Sequence, residues 1–236
     1  MREHMSEFTQ ELTALFTENG LEPAKRRLSQ MEAYYEELVA VNRMHNLTAI
    51  TAPKDAALRH FFDSVAPQAV IPEGAAVADV GSGAGFPIVP LKIMRGDIRA
   101  TAVESAGKKC AFIERGSKAA EIDVEVLCTR AEELARGPRR ESFDVCVSRA
   151  VAQLRVLAEL CAPLVRQGGL FLAYKGEYER ELAEAQNAAE TLNLELADII
   201  KLPCEGYAHH VLVFRKTGML SPKYPRRYAQ IVKTPL

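Results

Sequence analysis

Aromatic residues are scarce in this sequence: tryptophan is absent, and only 7% of the 236 residues are aromatic. This scarcity argues against a carbohydrate-stacking or antibody-like surface. Long apolar runs are missing too, since the longest uninterrupted one, Leu170–Tyr174, is far too short to cross a bilayer. The first ten residues include charged side chains and lack the apolar stretch of a secretory signal. We therefore expect a soluble globular protein of the cytoplasm, with no membrane contact.

Cysteine provides neither a disulfide framework nor a metal site. The cysteines are odd in number, well separated and set in apolar sequence, without a Cys-x-x-Cys pair. We expect no bound metal. We also expect every cysteine to be a reduced core residue: Cys110, Cys128, Cys146, Cys161 and Cys204.

The spacing of apolar residues divides the chain into two parts. Residues 1–70 follow a helical pattern, in which Phe8, Leu12, Leu15 and Phe16 recur on one face. After Pro72, short β-like runs alternate with helical stretches, which is typical of βαβ units around a parallel sheet. We predict an N-terminal helical extension over residues 1–70 and a second domain over residues 71–236.

The second part predicts a seven-stranded sheet. The connection between its last two runs is too short for a crossover helix, so these two strands should be antiparallel. A doubly wound dinucleotide fold would need another helix there. The pattern favours a methyltransferase-like sheet, mostly parallel with its last strand antiparallel. The predicted strands are Ala76–Val80, Arg99–Glu104, Asp123–Cys128, Phe143–Ser148, Leu170–Lys175, Leu194–Leu202 and His210–Arg215, and the predicted helices are Pro87–Met94, Gly107–Ala120, Ala131–Arg136, Val151–Leu164 and Glu177–Leu192.

A glycine-rich turn follows the first predicted strand. Its glycines, Gly81, Gly83 and Gly85, allow a sharp turn and close approach of a ligand. Phe86 stands where a pyrophosphate-binding GxGxxG motif has its third glycine. Asp79, two residues before the first glycine, would repel a pyrophosphate but favour a cationic ammonium or sulfonium group. This charge complementarity points to S-adenosylmethionine as the cofactor.

Two further segments complete the expected cofactor site. Glu104 ends the second predicted strand, where a carboxylate can accept hydrogen bonds from both ribose hydroxyls. The backbone of Ala131 and Glu132, just beyond the third strand, is placed to bind the adenine edge. For Glu132 a purely structural role, as a negative charge at a helix N-terminus, is equally compatible with the sequence.

These motifs occur together with others along nearly the whole chain. They include Asn46-Leu47-Thr48-Ala49-Ile50, Arg59-His60-Phe61-Phe62-Asp63-Ser64, Asp79-Val80-Gly81-Ser82-Gly83-Ala84-Gly85-Phe86-Pro87, Arg130-Ala131-Glu132-Glu133, Ser148-Arg149-Ala150, Tyr174-Lys175-Gly176 and Lys223-Tyr224-Pro225-Arg226-Arg227. In this order they resemble the bacterial small-subunit ribosomal RNA guanine-N7 methyltransferases, also called the glucose-inhibited division protein B family.

The resemblance implies a class I S-adenosylmethionine-dependent methyltransferase fold and a cofactor site. Gly81, Phe86, Ala131, Glu132 and Arg149 would line that site. The implied substrate is 16S ribosomal RNA or the small ribosomal subunit, with N7 of guanine 527 as the methyl acceptor. We expect no metal in the site, and we expect the protein to be a monomer.

The residues after the fourth predicted strand bear on the methyl acceptor. The segment Val147–Ala150 lacks the Asn/Asp-Pro-Pro-Tyr/Phe motif of enzymes that methylate exocyclic amines. Cytosine C5 chemistry needs a nucleophilic thiol, but Cys146 has apolar neighbours, where a thiol is usually inert. Guanine N7 needs neither, because its in-plane lone pair carries no proton.

Arg149 is the candidate catalytic residue. It could donate a hydrogen bond to guanine O6, lie beside the cofactor or form a surface ion pair. An arginine fork normally takes N7 together with O6, and N7 must here stay free. His60 and Asp63 share one predicted helical face and are expected to pair with each other as a structural staple.

A local basic surface is expected for RNA, because the formal net charge of the whole chain is only −1. Residues 206–236 contain no Asp or Glu, and tyrosines alternate with their basic residues. Removing these residues is expected to abolish activity on RNA but to spare cofactor binding. A solvated arm without function is the alternative. The expected RNA-binding residues are Lys175, Lys223, Arg226, Arg227 and Lys233.

Two other functions remain open at this point. The same cofactor could serve a protein or small-molecule acceptor. Alternatively, the chain could be a non-catalytic RNA- or nucleotide-binding module, which would bind ligand but release no S-adenosylhomocysteine.

Overall fold

The computed structural model describes residues 5–202 and 209–236. In this part of the chain, helices cover both faces of a seven-stranded sheet. The strands are β1 (Ala76–Val80), β2 (Arg99–Glu104), β3 (Glu125–Cys128), β4 (Phe143–Arg149), β5 (Val165–Lys175), β6 (Leu194–Lys201) and β7 (His210–Lys216). The helices are α1 (Glu7–Glu18), α2 (Lys25–His45), α3 (Pro53–Ala56), α4 (Asp63–Val65), α5 (Ile88–Met94), α6 (Gly107–Ala119), α7 (Ala131–Leu134), α8 (Leu154–Cys161), α9 (Glu179–Glu184), α10 (Gln186–Thr191) and α11 (Tyr228–Lys233), with π-helical backbone at Ala57–Phe62 and a 3₁₀ turn at Ala66–Val70.

The strand order across the sheet is β3-β2-β1-β4-β5-β7-β6. Strands β1 to β5 are parallel, whereas β7 is antiparallel to both of its neighbours, β5 and β6. The prediction of a mostly parallel sheet with an antiparallel last strand is confirmed. The order reverses between β1 and β4, and ligands of such sheets usually bind at this switch point, beyond the carboxyl ends of the strands.

Two of the predicted boundaries in the second half are wrong. The single helix expected over Glu177–Leu192 is divided into α9 and α10 at Ala185. Strand β5 starts at Val165 rather than at Leu170, so it has an added part that precedes the predicted strand. Gly168, with φ 79°, lies in this added part, beside a register shift in the β4–β5 pairing. A glycine in the left-handed conformation allows the strand to continue through this irregularity.

The N-terminal helices pack onto one face of the sheet. Phe8, Phe16 and Tyr34 are fully buried in the same apolar core as Val77 of β1. Helix α2 also contacts α6, where the Gln30 side chain donates a hydrogen bond to a backbone carbonyl at 3.0 Å. The helices before β1 therefore support the sheet directly behind the glycine-rich turn.

Three of the cysteines are buried as predicted, but the prediction for Cys128 is wrong. Cys110, Cys146 and Cys161 lie in the core, whereas Cys128 is exposed. It ends β3, which is at the edge of the sheet and has one strand neighbour, β2. Cys204 lies outside the described residues.

Within residues 5–202 and 209–236, no helix combines the length and the apolar character needed to span a membrane. The same ranges contain no group of three or more His, Cys, Asp or Glu side chains placed to hold a metal ion.

Candidate active site

The glycine-rich turn connects β1 to α5 at the carboxyl edge of the sheet. The Gly81 amide donates to the Val103 carbonyl at 2.8 Å, which ties the turn to β2. Gly81 has φ 72°, and a Cβ atom there would overlap Cγ2 of Val151. Gly85 has φ 84°, and a Cβ atom there would overlap the Tyr34 hydroxyl. Backbone conformation and space both require glycine at these two positions.

Glu104 holds the turn and faces a cavity. Its Oε2 atom accepts from the Gly83 amide at 2.9 Å, and its Oε1 atom accepts from the Ala106 amide at 2.8 Å. The residue is only 8% exposed. Each carboxylate oxygen has two lone pairs, so both can accept one further hydrogen bond. The predicted contact with a ribose is compatible with this structural role.

The first cavity opens at the carboxyl ends of β1, β2 and β3. Residues from the C-terminal half complete its wall, namely Val151, Leu160 and Tyr228. The aromatic ring of Tyr228 lies 5.5 Å from the guanidinium carbon of Arg130, which also lines the cavity. Of the nine residues predicted to bind the cofactor, four line this cavity: Gly81, Glu104, Ala131 and Glu132.

Asp79 is fully buried next to the turn. Its Oδ2 atom accepts from the Ile88 amide at the start of α5, at 3.4 Å. Within the described residues, its Oδ1 atom has no hydrogen-bond partner. Burial raises the pKa of Asp79 from 3.8 to about 7, although the Ile88 amide and the charge of Arg149 act in the opposite direction. Asp79 is therefore a buried acceptor next to the turn, and a nearby cation would stabilise its charge.

Phe86 belongs to an aromatic cluster that supports the turn from the core. Its ring stacks on His60, with the centroids 4.4 Å apart and the planes within 10°. The rings of Tyr34 and Phe61 contact it edge-on. Phe86 is 5% exposed, so it stabilises the turn between the core and the site.

His60 and Asp63 have other partners in place of the predicted mutual pair. The Nε2 atom of His60 lies 3.0 Å from the Thr48 hydroxyl, and Nδ1 accepts from the Arg149 guanidinium at 3.2 Å. Burial and the positive charge of Arg149 lower the pKa of His60 to about 3, so its imidazole is neutral. The Asp63 carboxylate lies 2.7 Å from Nδ1 of His209.

Arg149 ends β4 beside this cluster, half-buried rather than on the surface. Its guanidinium donates to the Arg59 carbonyl at 2.6 Å and lies 5.6 Å from the centroid of the Phe86 ring. The next residue, Ala150, has φ 57°, a conformation that costs a non-glycine residue about 1–2 kcal/mol. This turn brings Arg149 and Val151 to the same edge of the sheet.

A second cavity, of about 410 Å³, opens at the carboxyl ends of β4 and β5. Its size is within the roughly 300–1,000 Å³ typical of small-ligand sites. Arg149, Lys175, Glu181 and His209 contribute polar groups to its wall. Val151 lines both cavities, so ligands in the two would meet beside this residue.

The structure places the predicted RNA-binding residues in three different environments. Lys175 is 8% exposed and donates to the Ala152 carbonyl and to Glu181, both at 2.7 Å, so it belongs to the second cavity. Arg226 is paired with Glu159, which is fully buried, at 2.6 Å. This pair gives Arg226 a structural role, and its predicted contact with RNA stays a prediction. The exposed residues are Lys223, Arg227 and Lys233.

The C-terminal residues are integral to the fold, so their removal is no longer expected to spare cofactor binding. Strand β7 lies between β5 and β6, and its Lys216 is fully buried against Glu141. Arg140 donates to the Tyr224 carbonyl at 2.6 Å, which fixes the following segment. Deleting residues 206–236 would remove a sheet strand together with the Tyr228 wall of the first cavity.

Sequence reasoning missed Val151, Tyr228, Glu181 and His209 as residues of the two cavities. Tyr228 was visible as one of the tyrosines among the basic residues of the segment 206–236, a pattern that predicted RNA binding. Nothing local to Glu181 distinguishes it from the other carboxylates of α9. These positions become a site only when distant segments are brought together.

Comparison with known proteins gives the family. A family model described as GidB, rRNA small subunit methyltransferase G, matches residues 27–206. The chain is 39% identical over 234 residues to Ribosomal RNA small subunit methyltransferase G of Bacillus subtilis (strain 168), covering 96% of this chain and 98% of that protein. The chain belongs to the GidB family. A protein of the same name from Pelotomaculum thermopropionicum is 40% identical to this GidB-family chain over 226 residues, covering 93% and 95% of the two chains.

Solved structures similar to this GidB-family chain include methyltransferases. A SAM dependent methyltransferase from Aquifex aeolicus matches 67% of this chain and 92% of its own, with TM-score 0.54 and 17% identity. The M. jannaschii TYW2 in complex with AdoMet matches 65% and 76%, with TM-score 0.52 and 16% identity. The predicted class I methyltransferase fold is confirmed, as is the family resemblance.

Proposed function

We propose that this GidB-family protein transfers a methyl group from S-adenosylmethionine to N7 of a guanine in 16S ribosomal RNA, guanine 527 by family resemblance. Family membership supports the coarser statement that the protein is an rRNA methyltransferase dependent on this cofactor. The observation that carries the proposal is the pair of adjoining cavities, which share Val151 and provide separate places for a cofactor and an acceptor base.

The residues around the first cavity fit S-adenosylmethionine. Glu104 has lone pairs left for ribose hydroxyls, and the absence of a side chain at Gly81 lets Val151 pack against the turn at the cavity wall. The unpartnered Oδ1 atom of buried Asp79 favours a nearby cation. When bound, the cofactor supplies a methyl group on a positively charged sulfur.

Methyl transfer to guanine N7 does not require a general base in the site. The N7 lone pair carries no proton, so the protein has only to hold and orient the acceptor, and positioning can lower a barrier by about 7–11 kcal/mol. The neutral His60 ring and the Arg59 carbonyl fix the guanidinium of Arg149 at the edge of the second cavity. We assign Arg149 to aligning the acceptor beside the cofactor site.

The exposed basic residues of the C-terminal segment are proposed to bind the RNA backbone. Lys223 lies over the ring of Tyr224, with Nζ 4.9 Å from the ring centroid, and Arg227 immediately precedes α11. Lys233 ends that helix. Because α11 also carries Tyr228 of the first cavity, phosphate contacts made here would hold RNA close to the methyl donor.

The test is transfer of labelled methyl from S-adenosylmethionine to small subunits purified from cells that lack the gene. The expected product is a single guanine detected by chain cleavage at N7-methylguanine. Subunits reconstituted with 7-deazaguanine at that position should take up no label. Label in protein, or in a small molecule, would favour the alternative acceptors, and cofactor binding without any release of S-adenosylhomocysteine would favour the non-catalytic module.

A second prediction concerns the pH dependence of Asp79. Its folded pKa is raised to about 7, so the folded state keeps a proton between about pH 4 and 7 that the unfolded chain has released. The contribution of Asp79 to the free energy of unfolding should therefore fall as pH rises through this window, by up to about 4 kcal/mol, and then level off. Asp79→Asn should remove this contribution, so the difference in free energy of unfolding between parent and variant should change across the window, as measured by urea unfolding at each pH. The variant should also bind the cofactor more weakly.

The matched control is Asp97→Asn. Arg95 lowers the pKa of the Asp97 carboxyl, so this charge is stabilising and its loss should reduce stability at neutral pH. Cofactor affinity should stay at the parent value. His60 contributes a slope of the opposite sign to Asp79, because its pKa is lowered and the folded state excludes the proton below about pH 6.5. Equal pH profiles for the parent and Asp79→Asn would contradict the prediction.

A further inference from the structure

The second cavity presents a hydrogen-bond donor and an acceptor side by side. Nζ of Lys175 lies 2.7 Å from Oε2 of Glu181, and both residues line the cavity together with Arg149. Lys175 comes from the end of β5, and Glu181 comes from α9. Their side chains are 9% and 30% exposed, so the pair is largely shielded from solvent and opens toward the cavity.

Both groups keep hydrogen-bonding capacity for a ligand. Lys175 has three N–H donors, and two acceptors bind it among the described residues, the Ala152 carbonyl and Glu181. Glu181 accepts from Lys175 and from the Leu154 amide, and both bonds use Oε2. Within residues 5–202 and 209–236, Oε1 of Glu181 accepts no hydrogen bond. The pair therefore offers one N–H and one carboxylate oxygen to a bound molecule.

We propose that Lys175 and Glu181 select guanine as the acceptor base. Lys175 donates to O6, and Glu181 accepts from N1–H and from the N2 amino group. This inference rests on the proposed function and adds the residues that determine its substrate. Contact along the Watson–Crick edge leaves N7 unobstructed, whereas an arginine fork would occupy N7 together with O6.

The same pair disfavours adenine. Adenine has an amino group where guanine has O6, and a bare lone pair where guanine has N1–H. A donor would then face Lys175, and a lone pair would face the Glu181 carboxylate. Both shielded groups would lose their hydrogen bonds, and a site built around such bonds rejects a base that lacks them. Specificity comes from this mismatch as well as from the favourable pairing.

Glu181→Gln is the informative variant because the surroundings orient its amide. Lys175 and the Leu154 amide both donate, so they hold the glutamine carbonyl oxygen at the Oε2 position. The NH2 group then faces the cavity, where it meets the N–H donors of guanine. Glu184→Gln is the matched control, since Glu184 lies on the same helix and pairs with Arg180, which is 93% exposed.

The experiment compares guanosine and inosine at the target position of reconstituted subunits. Inosine keeps N7, O6 and N1–H but lacks the N2 amino group. For the parent, the kcat/KM for methyl transfer should be about 10-fold or more lower with inosine than with guanosine. This decrease, called the inosine effect below, corresponds to the loss of one hydrogen bond to a charged group. Glu181→Gln should lose at least as much on guanosine and show little further loss with inosine. Glu184→Gln should keep the parent rates and the parent inosine effect.

Cofactor affinity separates a substrate role from a structural one. Glu181→Gln should bind S-adenosylmethionine as the parent does, which shows that α8 and α9 are intact. If it does not, Glu181→Asp provides the second variant, because it keeps the charge but withdraws the cavity-facing oxygen by one methylene. It should likewise lose the inosine effect. If a folded Glu181 variant still discriminated against inosine as strongly as the parent does, the Lys175–Glu181 pair would serve only to stabilise α8. That result would overturn the inference. Absence of N7 methylation by the parent would instead overturn the proposed function.

Discussion

Gly81→Ala is expected to lower the affinity for the cofactor by about 30-fold or more. A left-handed conformation costs an alanine about 1–2 kcal/mol, and overlap with Cγ2 of Val151 adds about 1–3 kcal/mol of overpacking. Together they exceed about 2 kcal/mol, so the turn of the free variant should relax away from this conformation. Binding the cofactor would then have to restore it, and a cost of about 2 kcal/mol corresponds to about 30-fold in affinity. Movement of Val151 would disturb the second cavity as well, because this residue lines both. Isothermal titration with S-adenosylmethionine and the methyl-transfer rate measure the two effects.

Gly96→Ala is the control for this substitution. A Cβ atom there would meet nothing within 4 Å, and its φ lies outside the left-handed region. Its cofactor affinity and methyl-transfer rate should therefore match those of the parent. If Gly81→Ala behaved like Gly96→Ala, the first cavity would not be the cofactor site.

Arg226→Met is expected to lower the free energy of unfolding by about 3–5 kcal/mol. The substitution leaves the fully buried Glu159 carboxylate without the cation that lies 2.6 Å from it. The Arg226 amide also donates to the same carboxylate at 2.8 Å, and this bond alone cannot replace the charge. For a domain of this size the loss corresponds to a decrease in Tm of roughly 6–20 °C. Thermal and urea unfolding both measure it.

Arg227→Met is the matched control for Arg226→Met. Arg227 is the next residue and is exposed, so its substitution should leave Tm within about 2 °C of the parent value, since surface changes usually stay within about 0.5 kcal/mol. It should weaken RNA binding and flatten its salt dependence, as a lost phosphate contact does. The opposite pattern, with a stable Arg226→Met and an unstable Arg227→Met, would contradict the structural assignment. The double variant of Glu159→Met and Arg226→Met should recover much of the lost stability, because no unpaired charge remains.

These two neighbouring arginines show where sequence reasoning was insufficient. Both belong to a run without acidic residues, and composition alone assigns them the same role. The partner of Arg226 is Glu159 on α8, which is distant in sequence. Lys175 is a similar case, because its partner Glu181 and the cavity they share depend on how α9 packs against β5. A charged side chain has no local signal for whether its partner is another residue or a ligand.

The sequence by itself determined the features that depend on local periodicity and local geometry. Apolar spacing predicted the helices before β1, alternating runs predicted the parallel sheet, and a short connection predicted the antiparallel strand. The turn from Asp79 to Phe86 was recognisable because glycine is required where φ is positive and space is limited. Only the tertiary structure decided which groups meet. It placed Tyr228 on the first cavity and exposed Cys128 at a sheet edge, since contacts between distant segments depend on the packing of whole elements.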